Sequence, residues 1–350
     1  MRLQCLLLAV FTAVVATVPL IKSEFPSIAA SSFIQAPSEH PATHDDFMEL
    51  YNKTSGAVNT TELVFGGQFA QPGNFPFQVY ITYRKRDGQY YICGGSLVSP
   101  THVLTAAHCT IDMIAPSRVM VGSTNVRQQT AATQWRNVHA INTHPRYRNG
   151  DPSFLNDIAM LEFSPPIQLN PAVQIVRILA NDQQLLSTGG AYISGFGTYT
   201  FNGNQAVTSD NLRYAPLQLF NYNYCRFEPL LSLSSVTVTS FSQQWARFTG
   251  GRTQVTQTQV CAGAQGRGSG PGDSGGPLSV DTRNGLFQIA LVSFGPMDPR
   301  IMANQQDQYP GTVIFLFADF NWSFPAAVFT RLSSHCDFIA HYSRNTAKCL

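Results

Sequence analysis

The sequence predicts an all-β protein built of two packed barrels or sandwiches. Three observations carry that expectation. Short apolar runs recur from Val64 onward, Gly, Pro and Asn turns separate them, and helical periodicity is almost absent. The runs are Phe77 to Thr82, Ser96 to Leu104, Val119 to Val121, Ala191 to Ser194 and Leu286 to Val292. Helical signal is confined to Thr105 to Cys109 and to Ser334 to Arg344. The 350 residues exceed one simple domain, but a two-barrel unit runs well past about 200 residues.

Two segments precede this unit. Arg2, an apolar run from Leu6 to Val18 and the small residues after it have the layout of a secretory signal, with removal expected between Ala16 and Ser23. The run is shorter than the ~20 residues a spanning helix needs, so residues 1–23 read as a signal peptide and the protein as secreted and extracellular. Residues 24–63 are polar, rich in Ser, Ala and Pro, and lack sustained periodicity, which predicts a mostly unstructured propeptide. Residues 64–350 form the main domain.

Composition narrows the partners. Charged residues make up 12% of the chain, about half the usual ~25%, and the net charge is +2 with no long run of Lys or Arg. Nucleic acid and, after signal removal, a membrane surface are therefore not expected. Taking Cys5 away from the seven cysteines leaves six, an even number suited to disulfides in an oxidising compartment. No C-x-x-C pair occurs and the thiols are scattered, so no metal is expected.

Three short segments carry chemistry. Gly272-Asp273-Ser274-Gly275-Gly276-Pro277 presents a serine on a turn whose glycines let backbone amides face a developing oxyanion, although a plain hairpin turn has the same composition. A serine hydroxyl attacks a carbonyl only when a neighbouring base removes its proton. Thr105-Ala106-Ala107-His108-Cys109 offers that base, held beside a cysteine directly after a strand-like run. Asn156-Asp157-Ile158-Ala159-Met160-Leu161 opens an apolar strand with a carboxylate, which is costly to bury unless it pairs or sits at a turn.

TAAHC, NDIAML and GDSGGP, in that order, resemble the active-site signatures of chymotrypsin-like serine proteases. The resemblance extends from Val64 to Ile339 and includes Cys93-Gly94-Gly95-Ser96-Leu97 and Ile193-Ser194-Gly195-Phe196-Gly197, where the family usually has tryptophan at Phe196. It implies two six-stranded antiparallel β-barrels with a short C-terminal helix. It also implies Ser274 as nucleophile, His108 as general base and acid, Asp157 as the orienting carboxylate, and the amides of Gly272 and Ser274 as oxyanion hole. By similarity Cys93 pairs with Cys109 and Cys225 with Cys261; Cys336 and Cys349 then pair by elimination. Two family bridges are missing, one whose ends fall near Ala191 and Val280, the other starting at Gly270.

Further expectations follow from the same resemblance. Val64-Phe65-Gly66-Gly67 looks like the terminus that activation frees, whose ammonium would pair with Asp273. The residue before it is Leu63, with no Lys or Arg between Thr54 and Leu63, so an activating protease of apolar preference is expected, the enzyme itself being one candidate. At the base of the primary pocket, trypsin-like members carry aspartate where this chain has Gly268, and the walls match Ser293, Phe294, Gly295 and Ala327. That predicts Phe, Tyr, Leu or Met before the cleaved bond, with smaller residues second. Insertions at Glu228 to Thr258 and Pro296 to Phe324 border the cleft, and the latter brings Asp298, Asp307 and Asp319. Asn52, Asn59 and Asn321 begin glycosylation sequons. Protein or peptide substrates and protein inhibitors are the implied partners, and no cofactor is needed. The rival reading is an inactive homologue serving as an extracellular binding or regulatory module, which the retained His108, Asp157 and Ser274 oppose.

Overall fold

The computed structural model describes residues 32–33, 67–151, 153–187, 190–202, 205–220, 255–264, 267–295 and 327–350. Their strands are, in chain order, β1 (Ser32–Phe33), β2 (Gln68–Phe69), β3 (Gln78–Lys85), β4 (Tyr90–Ser99), β5 (His102–Thr105), β6 (Met113–Val121), β7 (Gln134–Thr143) and β8 (Ala159–Phe163). There follow β9 (Arg177–Ile178), β10 (Gly190–Gly195), β11 (Thr198–Asn202), β12 (Gln205–Thr208), β13 (Arg213–Phe220), β14 (Gln259–Gly263), β15 (Pro277–Thr282), β16 (Gly285–Phe294) and β17 (Ala327–Arg331). Two short helices complete the set, α1 (Ala107–Thr110) and α2 (Cys336–Tyr342).

The first sheet runs β1-β7-β6-β3-β4-β5-β8, and pairing of β7 with β8 closes β3 to β8 into a six-stranded barrel. The second runs β10-β15-β16-β17-β14-β13-β2 with β9 beside β16, and pairing of β10 with β13 closes its own six strands. Both barrels are antiparallel; only the short β9 joins in parallel. Closure removes the exposed edges that an open sheet would present. Ile81, Leu97, Leu104 and Leu161 fill the first barrel and Ile193, Leu278, Ile289 and Phe329 the second, all of them fully buried. β13 shows the period of two that places one face inside: Ala215, Leu217 and Leu219 are buried while Pro216 and Gln218 are exposed.

The structure departs from the sequence reading in places. Ser96 to Leu104 is not one strand, because β4 ends at Ser99 and β5 starts at His102. Pro100 cannot donate to a ladder, and the chain turns there while both flanking strands stay buried. Thr105 belongs to β5 rather than to a helix, and α1 starts at Ala107. A 3₁₀ turn at Leu332–His335 precedes α2. Within the expected unstructured propeptide, Ser32 and Phe33 pair with Ile141 and Ala140 of β7. The signal peptide, the rest of residues 24–63, the three sequons, Asp298, Asp307, Asp319 and nearly all of both insertions lie outside the described residues.

Disulfides join Cys93 to Cys109 and Cys336 to Cys349. Cys261 is also disulfide-bonded, while its expected partner Cys225 lies outside the described residues. Where one family bridge is missing, the β10–β15 register Tyr192↔Ser279 brings Ala191 and Val280 to neighbouring positions at its next step. Both are buried in one apolar cluster, so packing stands where a covalent staple is absent. Neighbouring Cα atoms in an antiparallel pair lie about 4.5–5.5 Å apart, inside the range a disulfide spans. The double variant Ala191→Cys, Val280→Cys is therefore expected to form a bridge under oxidising conditions and to raise the unfolding free energy obtained from urea melts by about 2–4 kcal/mol at most. Mass spectrometry finding two free thiols in the folded variant would contradict this register.

Candidate active site

The barrels bring three segments together by strand register. Thr105, the last residue of β5, pairs with Ala159, the first of β8. The residues just beyond those ends therefore meet: His108 on α1 and Asp157 before β8. Asp157 Oδ1 accepts the His108 backbone N–H and its Oδ2 lies 2.8 Å from His108 Nδ1. The second barrel adds a third donor, the Ser293 hydroxyl from the end of β16, at 2.6 Å from Oδ2. Thr330 Oγ1 of β17 donates to the Asp157 carbonyl at 2.9 Å. Asp157 is fully buried, and these donors repay the desolvation of its charge. Beside it the Tyr147 phenol is pushed far up, first by burial and then by the charges of Asp157 and Asp151. A carboxylate only accepts hydrogen bonds, so His108 Nδ1 donates to it, and in the neutral imidazole that tautomer leaves the lone pair on Nε2.

Ser274 sits on a turn docked against the same strand end. Gly94 N–H donates to the Ser274 carbonyl at 2.8 Å, and Gly275 N–H to Val292 O at 2.8 Å. Gly272 and Gly275 both have positive φ, at 96° and 77°. A Cβ on Gly275 would fall 2.2 Å from Thr105 Oγ1 and 2.6 Å from Ala106 N, so only glycine lets this turn reach the histidine segment. Among the described residues no hydrogen bond joins Ser274 Oγ to His108 Nε2; such contacts commonly tighten when substrate binds. The N–H groups of Gly272 and Ser274, the expected oxyanion hole, donate to nothing among the described residues, whereas those of Asp273, Gly275 and Gly276 are all used within the fold.

Asp273 is the second buried carboxylate. Its Oδ1 accepts Gly197 N–H at 2.8 Å and its Oδ2 accepts Gly270 N–H at 2.9 Å. No cation pairs with it among the described residues, and Leu63 and Val64, the expected activation site, lie outside them. Burial pushes its carboxyl up to about 6 against the two amides that favour the charged form.

The pocket residues divide. Gly268 has open space where a side chain would go. A Cβ on Gly295 would meet Ala327 Cβ at 3.3 Å and Ser269 Oγ at 3.9 Å, so Gly295, Ala327 and Ser269 face one another. Ser293, expected on the wall, donates its hydroxyl to Asp157. Phe294 stacks on Phe154 at 5.0 Å, and Phe154 meets His108 edge-on at 5.9 Å. Two residues here carry no motif, Phe154 and Ser269. Phe154 holds a positive φ of 48°, unusual for an aromatic, and stands three positions before Asp157, the only sequence signal it gives.

The chain was compared with known proteins. A family model described as Trypsin matches residues 64–312. The chain is 32% identical to human chymotrypsin-like elastase family member 1, over 69% of this chain and 84% of that protein. It is 31% identical to mouse chymotrypsin-C, over 68% and 80%. Among solved structures, mouse neuropsin, a serine protease, superposes with a TM-score of 0.55 at 23% identity, covering 79% of this chain and 98% of that one, a likeness of fold. Among the described residues no helix is long and apolar enough to cross a membrane.

Asp273 makes the uncleaved chain sensitive to pH. Its folded carboxyl titrates at about 6 against an ordinary 3.8, so the native state holds the proton more tightly and stability falls as pH rises through that window. At 1.36 kcal/mol per pK unit the loss is on the order of 3 kcal/mol. Urea midpoints of the full-length Ser274→Ala chain should drop between pH 4 and pH 7, and Asp273→Asn should flatten that drop; equal drops in both chains would assign the effect elsewhere.

Proposed function

This chain belongs to the Trypsin family of chymotrypsin-like serine endopeptidases, and we propose that it hydrolyses peptide bonds through His108, Asp157 and Ser274. The observation that carries the reading is the 2.8 Å contact of His108 Nδ1 with the buried Asp157, which leaves Nε2 available to act as a base. In this reaction Ser274 Oγ attacks the scissile carbonyl as His108 Nε2 takes its proton. The oxyanion is held by the idle N–H groups of Gly272 and Ser274. His108 then protonates the leaving amine, and water repeats the sequence on the acyl-enzyme. Asp157 stays a carboxylate throughout and keeps the imidazole in its productive tautomer.

Protein substrates follow from the family; the side chain preferred before the cleaved bond does not. Gly268 supplies no carboxylate, Gly295 no side chain and Ala327 a single methyl, which supports a slot for Phe, Tyr, Leu or Met. Secretion through residues 1–23, a propeptide over 24–63 and activation by cleavage between Leu63 and Val64 complete the proposal. The freed ammonium would pair with Asp273 and remove the burial cost that raises its carboxyl.

The test is hydrolysis of peptides carrying Phe, Leu, Ala or Arg before the scissile bond by chain cleaved at Leu63. Phe or Leu should be preferred, and Ser274→Ala should lower kcat by at least about a thousandfold. Preference for Arg in the unmodified enzyme would sink the pocket assignment. Gly268→Asp, placed in open space, should introduce Arg cleavage and Gly295→Val should shift preference toward Ala.

A further inference from the structure

Arg213 is an outlier in a chain so poor in charge. It is 5% exposed, yet no carboxylate pairs with it among the described residues. Its guanidinium carbon lies 4.2 Å from the Phe69 ring centroid and 4.8 Å from that of Tyr199, so the cation is held by two aromatic faces. Its Nε donates to Ser209 Oγ, and its Nη1 is buried with no hydrogen-bond partner. Burial lowers its pKa to about 10, so it stays charged at neutral pH, and Tyr199 is the titratable group acting on it.

What the stack joins gives it meaning. Phe69 lies on β2, five residues beyond Val64, and β2 pairs with β13 at Arg213↔Phe69 and Tyr214↔Gln68. Tyr199 lies on the β11–β12 hairpin. The root of that hairpin is tied to the oxyanion turn: Thr198 N–H and Oγ1 both bond Pro271 O, at 2.7 and 2.8 Å, and Gly197 N–H bonds Asp273. Ser209, which receives the Arg213 Nε–H, closes the same root by donating its N–H to Phe196 O and Gly197 O. One side chain thus touches the strand leaving the activation site and both sides of the hairpin root that holds Pro271 to Asp273. An ordinary aliphatic residue would fill the space without binding two rings at fixed orientation, and the buried, unpaired Nη1 is a cost that packing alone does not explain.

We infer that Arg213 is a positioning residue that couples the strand freed by activation to the oxyanion turn, through its stack with Phe69 and Tyr199. The inference rests on the activation reading above, in which the Val64 ammonium pairs with Asp273. With the stack intact, β2 and the hairpin are ordered together and the Val64 amine is held beside Asp273. Without it the amine leaves its site more often, and the Gly272 and Ser274 amides lose their alignment.

The test uses chain cleaved at Leu63, as wild type, Arg213→Met, Arg213→Lys and Phe69→Leu. Two readouts are taken: the pH at which kcat/KM falls on the alkaline side, and the rate at which cyanate carbamoylates the Val64 amine. Asp273 has no charged neighbour among the described residues, so that alkaline fall reports loss of the ammonium's proton. Arg213→Met should move it about one pH unit lower and speed carbamoylation about tenfold, because weaker coupling lowers the amine's folded pKa. Arg213→Lys keeps a cation over the rings and should recover most of both effects. Phe69→Leu, at a half-exposed position that threatens no core, should shift both in the same direction and carries the test by itself should Arg213→Met fail to fold. Variants that melt earlier but keep the wild-type alkaline limb and carbamoylation rate would overturn the inference, leaving Arg213 a packing residue. A wild-type enzyme that is active with its Val64 amine freely carbamoylated would instead overturn the activation reading itself, and the role of Arg213 with it.

Discussion

Asp157 cannot be left alone. A fully buried carboxylate costs several kcal/mol unless donors replace its water, and here the donors come from elements far apart in the chain. The His108 N–H and ring come from the turn after β5, the Ser293 hydroxyl from the end of β16. Satisfying one charge therefore requires that both barrels be closed and docked. The same requirement orients the imidazole, because the only geometry that satisfies Oδ2 fixes the ring plane and its tautomer. Stability and the proposed chemistry are one constraint at this point, which is why a site built between two barrels is held to hydrogen-bond tolerance.

The nucleophile turn is fixed by sterics rather than by charge. Gly275 lies against Thr105 and Ala106 with no room for a Cβ, and Gly94 N–H holds the Ser274 carbonyl. Removing side chains lets two backbones approach within hydrogen-bond distance, and the amides of the turn are then consumed selectively. Those of Asp273, Gly275 and Gly276 go into the fold, while those of Gly272 and Ser274 do not. Preorganised donors that need no rearrangement are what a developing oxyanion requires.

How much of this was legible in the sequence depended on the range of the signal. Strand texture and turn residues announced two β units, and the motifs named His108 and Asp157, which the register of β5 with β8 brings close, and Ser274, whose turn docks through Gly94. Local signals misplaced boundaries: the apolar run through Ser96 to Leu104 hid a turn at Pro100, since both flanking strands are buried and periodicity does not mark the break. Contacts made across the barrels left no local trace. Ser293 read as a pocket wall because its motif places it there, yet its hydroxyl is committed to Asp157. Phe154, Ser269 and Arg213 carry no motif, and their roles exist only once distant strands pair.

The two buried carboxylates show how one fold separates a fixed element from a movable one. Asp157 receives three donors, among them a histidine ring that can itself become a cation. Asp273 receives two backbone amides, and these fall short: its carboxyl remains raised to about 6. A buried acid so placed is a standing demand for a cation, and the only chain segment expected to supply one begins at Val64. In the proposed activation, that shortfall is what would make cleavage consequential. Had Asp273 been satisfied as fully as Asp157, a new ammonium would find nothing to stabilise and the oxyanion turn would gain nothing from the cut. The low charge content of the chain sharpens the effect, because few other ions are near enough to answer the demand. In the proposed activation, the driving force would thus be an unmet electrostatic need beside the proposed nucleophile, one residue away from the atom it would control.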